Sequence, residues 1–293
     1  MKRIMSELVT LPEFGVIKLT GEQSHEFLQG QVTCDVFQLR EKAWIAGAHC
    51  NAKGKAWSAF LAFEQNQDLF LVMVKDSLKV TLAELNKYAV FAKTDITDDS
   101  ANWYVYGVTG LTDSFTDNIT ESDVIFDLTT SHQLLVSKQN QEDKATDSKE
   151  AHTTWWQLEV ASGRAHLYNN IIGEYVPQMM NLQALDYISF KKGCYMGQEM
   201  VARMRYLGKN KRALYIAEID TEVELTPGQD IYREMNERRR KSGKVITSQA
   251  GNGKTVFQVV LPNDTEQSEH LFIDEESDIC AQIMPLPYTL EQD

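Results

Sequence analysis

At Gly208 the pattern of the chain changes, and that change limits the available folds more than any other feature of the sequence. Downstream, "RALYIAEID", "QDIYRE", "SGKVITSQ" and "TVFQVVLP" are short runs of branched and aromatic residues separated by Pro, Gly and Asn. Strands of this length and spacing predict a small antiparallel barrel or sandwich. Upstream, strand and helix patterns mix. "FGVIKLTGEQ" predicts a strand and a turn at Gly21, and "EQSHEFLQGQ" a short helix with Phe27 and Leu28 on one face. "DSLKVTLAELNKYAV" predicts a longer helix capped by Asp76, with Leu78, Leu82, Leu85 and Ala89 at spacings of three and four. "WYVYGVTG" and "HQLLVS" predict strands.

Residues 137–154, "SKQNQEDKATDSKEAHTT", contain no large apolar side chain and predict an exposed linker. "WWQLEVASG" after it predicts a short helix ended by Gly163. A chain of 293 residues accommodates two domains. The change of pattern places them at 1–208 and 209–293.

The start has no long apolar run and no small-residue cleavage site, and no stretch approaches the roughly 18 apolar residues of a membrane helix. The expectation is a cytoplasmic protein. The net charge of -13 repels nucleic acid and anionic membrane at long range. Direct nucleic-acid binding is therefore disfavoured, although "ERRRKSGK" (237–244) is locally basic and reads as a solvated hairpin turn. Four cysteines, Cys34, Cys50, Cys194 and Cys280, are scattered without a C-x-x-C pair. They read as free thiols, and one isolated cysteine cannot hold an iron–sulfur cluster.

The densest chemistry is "SFKKGCYMGQEMVARMRYLG", residues 189–208. Gly193 and Gly197 predict tight turns and close backbone approach. "QEMVARMRY" predicts a helix that buries Met200, Met204 and Leu207, with Glu199 favourably placed in its first turn. Cys194, beside Lys191 and Lys192 and just ahead of that helix, has a setting that favours thiolate and suits an anionic ligand group. A buried structural cysteine in a tight turn is the competing reading. Cys34, Cys50 and Cys280 read as packing residues.

The run "KKGCYMGQEMVAR" resembles the signature K-G-C-[FY]-x-G-Q-E of the YgfZ-type folate-binding proteins. "LQGQVTCDV" (28–36), "AGAHCNAKGKAWS" (46–58), "LNKYAVFAKTDI" (85–96), "VPQMMNLQALDYISF" (176–190), "NKRAL" (210–214) and "PLPYTLE" near the end also resemble that family, so the likeness covers nearly the whole chain. The family is similar in turn to the T-protein, the aminomethyltransferase of glycine cleavage. The resemblance implies an α+β fold: two interleaved α/β lobes and a C-terminal antiparallel β-barrel, arranged as a ring around a folate channel. It implies tetrahydrofolate or a related reduced folate as cofactor. The implied role is support of iron–sulfur enzymes, including those that thiolate tRNA, with a link to control of replication initiation. The motif residues it marks are Lys192, Gly193, Cys194, Tyr195, Gly197, Gln198 and Glu199, with Cys194 as the reactive thiol and Lys192 beside it.

By the same resemblance, Phe14 and Trp155 stand where the family places folate-stacking aromatics. Two adjacent tryptophans, Trp155 and Trp156, are not expected to share one core. Arg203, Arg205 and Arg212 are candidates for the folate's glutamate tail. Departures from the T-protein pattern argue against aminomethyl transfer, the alternative reading. Trp57 and Ser58 stand where T-proteins carry acids. Cys194 and Gln198 replace the aspartate and arginine of a K-x-D-F-x-G-R-E-like run. Many relatives also carry a glutamate where aligning on Gly163 places Ala161. Glu159 lies two residues earlier, about 200° around a helix.

Overall fold

The structure is a computed structural model that describes residues 7–110, 120, 122–146, 148–208, 210–235 and 238–290. In chain order the first elements are β1 (Glu7–Thr10), β2 (Phe14–Thr20), α1 (Ser24–Gln29), β3 (Ile45–Cys50), β4 (Ala56–Gln65), β5 (Asp68–Val74) and α2 (Lys75–Ala89). Next come β6 (Asp95–Asp98), β7 (Tyr104–Thr109), β8 (Val124–Asp127), β9 (His132–Ser137), α3 (Lys149–Ala161) and α4 (Gln198–Tyr206). Six strands complete the chain: β10 (Arg212–Ile219), β11 (Asp230–Met235), β12 (Arg238–Gly251), β13 (Lys254–Pro262), β14 (His270–Phe272) and β15 (Cys280–Met284).

These form a five-stranded sheet in the order β3-β4-β5-β2-β6, a four-stranded sheet in the order β1-β7-β9-β8, and a closed barrel in the order β10-β13-β12-β11-β14-β15. Although β1 and β2 are neighbours in sequence, they belong to different sheets, so the two α/β lobes are interleaved as expected. The antiparallel barrel follows from the short, turn-punctuated strands after Gly208: alternate residues such as Ile231, Val245, Phe257 and Val259 fill its interior. Among the described residues no helix is long and apolar enough to cross a membrane.

Strand β3, buried throughout, and β5, buried after Asp68, need cover on both faces. On one face, α1 and α2 pack over Ile17, Phe60 and Leu71. Helix α2 buries Leu78, Leu85 and Ala89, while Leu82 is partly covered. Val74 holds the N-cap position and Asp76 lies inside the first turn, so the expected cap is displaced by two residues. The other face joins the main core, which runs from Val16 and Phe14 through Trp155, Trp156 and Tyr187 into Leu214, Ile246 and Val256 of the barrel wall.

Three local expectations need correction. Helix α3 starts at Lys149, inside the expected linker, because the Ser148 side chain accepts the Ala151 N–H at 3.3 Å and starts the helix early. The linker's first half is also packed: the Gln141 N–H donates to the Tyr106 hydroxyl at 2.7 Å, and the Thr146 N–H to the Leu8 carbonyl at 2.7 Å. The basic run is, from Arg238 onward, the start of β12, paired with β11, rather than a turn; its first residue, Glu237, lies outside the described residues. In α4 the buried side chain is Val201, whereas Met200 is 37% and Leu207 85% exposed.

Candidate functional site

The Cys194 segment is fastened on both sides of its sulfur. Before it, the Lys192 ammonium donates to the carbonyls of Gln29, Val32 and Cys34 at 2.6, 2.7 and 2.7 Å. These three bonds satisfy all three ammonium donors. Burial lowers the Lys192 pKa to about 8, with Cys34 and Asp35 opposing that shift. After the cysteine, the buried Tyr195 ring lies under the Lys192 ammonium at 5.1 Å, and the Met196 N–H donates to the Gly30 carbonyl at 3.1 Å.

Gly197 has φ +81, and a Cβ there would fall 2.5 Å from the Asn51 carbonyl oxygen, so glycine is required. Gly193 has nothing within 4 Å of its Cβ position, so the close approach expected there is absent. The Cys194 thiol projects from this fixed loop and is exposed. It is therefore not a buried structural cysteine. Two of the features expected to favour its thiolate are directed elsewhere. Lys192 bonds backbone carbonyls, and α4 begins at Gln198 after an intervening turn in which the Gln198 N–H donates to Tyr195. Gln198 reaches back to the Gly193 carbonyl at 3.4 Å, and Glu199 is exposed in the first turn of α4. Cys34 and Cys50 are buried packing residues, whereas Cys280 is exposed on β15.

A second constellation sits where α3 meets both sheets and the barrel. Glu159 is fully buried. Its carboxylate accepts from His132 Nε2 at 2.7 Å and His166 Nε2 at 2.8 Å, and pairs with Arg164 Nε at 3.2 Å. His132 Nδ1 in turn shares a hydrogen bond with the Thr129 hydroxyl at 2.9 Å. Burial alone would raise the Glu159 pKa; the Arg164 guanidinium and the two imidazole N–H groups outweigh it and hold the carboxyl below the usual range. Arg164 also donates to the Leu128 carbonyl at 2.9 Å. Tyr288 of the C-terminal segment folds back here, since a Cβ at Gly163 would fall 2.6 Å from its hydroxyl oxygen.

Aromatic rings form the other wall. Phe14 stacks on Trp156 with centroids 5.7 Å apart and meets Trp155 and His166 edge-on at 6.2 and 5.4 Å. Trp155 is fully buried beneath Gly107, where a Cβ would lie 2.5 Å from the indole, and donates from Nε1 to the Gln133 carbonyl at 2.9 Å. Both tryptophans share the main core, contrary to expectation. Adjacent helical residues diverge by about 100°, and α3 is enclosed across a wide arc. The rings leave a cavity of about 10 Å³ beside Glu159, Arg164 and Tyr187, room for about one water.

Sequence reasoning noted Glu159 but did not place it at the centre, and it missed His132, Arg164 and His166. Ala161, the aligned position for the family glutamate, is exposed. Ser58 is buried and accepts from the Thr81 hydroxyl at 2.8 Å, and Trp57 packs on His49 at 4.8 Å. No carboxylate stands at either position. Arg203 is exposed on α4, and Arg212 donates to the Ser242 carbonyl at 3.1 Å. Arg205 lies over the Phe190 ring at 4.8 Å, in a separate surface cleft.

Interleaved α/β lobes closed by an antiparallel barrel define a protein of the aminomethyltransferase fold class. The structure matches the glycine cleavage system aminomethyltransferase T from Bartonella henselae with a TM-score of 0.69, covering 97% of this chain and 86% of that one at 13% identity. The YgfZ β-barrel domain matches residues 210–276. The tRNA-modifying protein YgfZ of Colwellia psychrerythraea is 38% identical, covering 97% of this chain and 93% of the relative. The protein of the same name from Escherichia coli is 34% identical, covering 99% and 95%. The chain belongs to the YgfZ family.

Proposed function

We propose that the protein binds a reduced folate, tetrahydrofolate or a close relative, at the aromatic cavity on α3. In this reading it acts without turnover, as a cytoplasmic accessory to iron–sulfur enzymes that include tRNA-thiolating ones. The observation that carries this reading is the cavity wall: Phe14, backed by Trp156, and Trp155 beside the buried Glu159–Arg164 pair. A pterin needs flat apolar faces and a few fixed polar groups, and these residues supply both. The rings now fill the space, so entry requires the lining side chains Phe14 and Trp155 to move apart. The folate supplies one-carbon or redox chemistry when bound; the chain's own contribution is enclosure and orientation.

Cys194 is the second half of the proposal, an exposed thiol on a loop that is braced on both sides. The vacated acid positions at Trp57 and Ser58 favour binding over aminomethyl transfer. A tetrahydrofolate fluorescence titration tests the cavity. Saturable quenching that weakens in Phe14→Leu is expected, and a curve identical in wild type and variant removes Phe14 from the site. For the thiol, Cys194→Ala should keep the fold and the folate affinity yet fail to restore iron–sulfur enzyme activity in a deletion strain. Full complementation by that variant ends the thiol role.

A further inference from the structure

A surface cleft of about 820 Å³ runs between the segment around Cys34–Ala46 and the segments Leu185–Lys191 and Arg205–Tyr206. Neither Cys194 nor the rings around Glu159 line it. Its size is that of a small-molecule site, about 300–1,000 Å³.

Three aromatic side chains contribute to its walls. Trp44 is half-buried and set edge-on against Phe126, with centroids 5.6 Å apart, so packing fixes the indole. On the facing segments, Phe190 meets Tyr206 at 6.4 Å, and Tyr206 is 66% exposed. Three cations accompany the rings: the Arg205 guanidinium over Phe190, and the exposed Lys42 and Lys191. The lining carboxylates are Asp35 and Asp186. Asp35 Oδ1 is already engaged by the Gln29 side chain at 3.0 Å and by the Phe37 amide at 3.3 Å, while Asp186 is exposed. Three cations thus face two carboxylates on a chain whose total charge is -13.

Exposed rings flanked by cations suit a ligand that is both planar and anionic. A purely apolar partner would bury the Lys42 and Lys191 ammonium groups without counter-charges. A polyanion without rings would leave the aromatic faces wet. We propose that this cleft binds a nucleotide, its base held between Trp44 and the Phe190–Tyr206 wall and its phosphate by Lys42 and Lys191. Asp186 can accept from an exocyclic amino group. A free nucleotide and an unpaired nucleotide within RNA present the same chemistry. The overall negative charge makes capture short-range, and bases stacked inside a duplex cannot reach the rings.

The test is fluorescence anisotropy with a labelled single-stranded RNA of about ten nucleotides, alongside direct titration with adenosine and guanosine monophosphates. Saturable binding is expected, with Trp44→Ala and Lys191→Glu each weakening it about tenfold. Lys42→Glu serves as a second charge variant, in case loss of Trp44 loosens Phe126. Phe14→Leu and Cys194→Ala should bind as wild type does. Binding of the monophosphates identifies a free nucleotide, and binding of RNA alone identifies a segment of a longer chain; either supports the site. Absence of saturable binding by both probes overturns the proposal. So does binding that is indifferent to the Trp44, Lys42 and Lys191 substitutions. Displacement of the probe by tetrahydrofolate also overturns it, and would move the folate site to this cleft. Folate quenching that persists in Trp44→Ala leaves the cavity reading standing whatever the nucleotide result.

Discussion

Glu159, fully buried, and Lys192, half-buried, are two charges whose partners decide what this protein tolerates. Glu159→Gln preserves shape but leaves the Arg164 guanidinium buried without a counter-charge, and the expected loss is about 3–5 kcal/mol in urea unfolding. Because the Glu159 pKa is lowered in the folded state, its contribution is fully present at neutral pH and is lost only as pH falls below the ordinary value of 4.5 toward the folded pKa. The gap between wild type and variant should therefore shrink only in acid. Lys192 has a dependence of the same sign in an alkaline window. Burial puts its folded pKa at about 8, below the ordinary 10.5, so the folded chain holds fewer protons than the unfolded chain between those values. Its contribution to stability then rises as pH climbs through that window. Lys192→Met should abolish this rise, and by stranding three carbonyls it should cost about 1–3 kcal/mol at neutral pH. Stability measured from pH 7 to pH 10 in both proteins checks the sign.

Among the elements, α3 connects the most parts of the molecule. Its inner face carries Trp155, Glu159 and Val160, and its flank reaches the barrel: Gln157 donates to the Gly251 carbonyl at 2.8 Å, and Gln258 donates to the Val160 and Arg164 carbonyls at 2.8 and 3.0 Å. A small polar side chain starts this helix. Ser148→Ala removes the acceptor for the Ala151 amide and should cost about 1 kcal/mol, with earlier hydrogen exchange confined to residues 149–153. No change in either measurement would show that packing alone sets the start of the helix. The sequence signal was present in "DSKE", but the absence of large apolar residues over 137–154 masked it. The residues that α3 buries in its first turns, Ala151 and Thr153, are small. Thr153 sits against Gly251, a partner about a hundred positions away that local periodicity cannot reveal.

For the whole molecule, the continuity of the core matters more than the change of pattern at Gly208. We propose 1–208 and 209–293 as structural units, yet Leu214, Ile216, Ile246, Val256 and Val260 of the barrel share one core with Phe14, Trp155 and Met180. Cutting the chain at residue 208 would expose that face. A single calorimetric transition is expected for the intact protein, together with aggregation or a loose, ANS-binding state for residues 1–208 alone. Two well-separated transitions, or a stable folded fragment, would show the units to be independent.

Periodicity and turn chemistry are local properties, and from them the sequence determined the barrel strands, α2, α4 and the glycine turn at Gly197. The conspicuous "KKGCYMGQE" run also marked tight turns ahead of a helix, while leaving open whether Cys194 is buried. What only the tertiary structure decided are partnerships across the chain. Lys192 meets Gln29 across 163 positions, His132 meets Glu159 across 27, and Trp44 comes to face Phe190 and Tyr206. The stability of a buried charge depends on which donors and acceptors surround it, and that surrounding exists only after distant strands and loops have packed together.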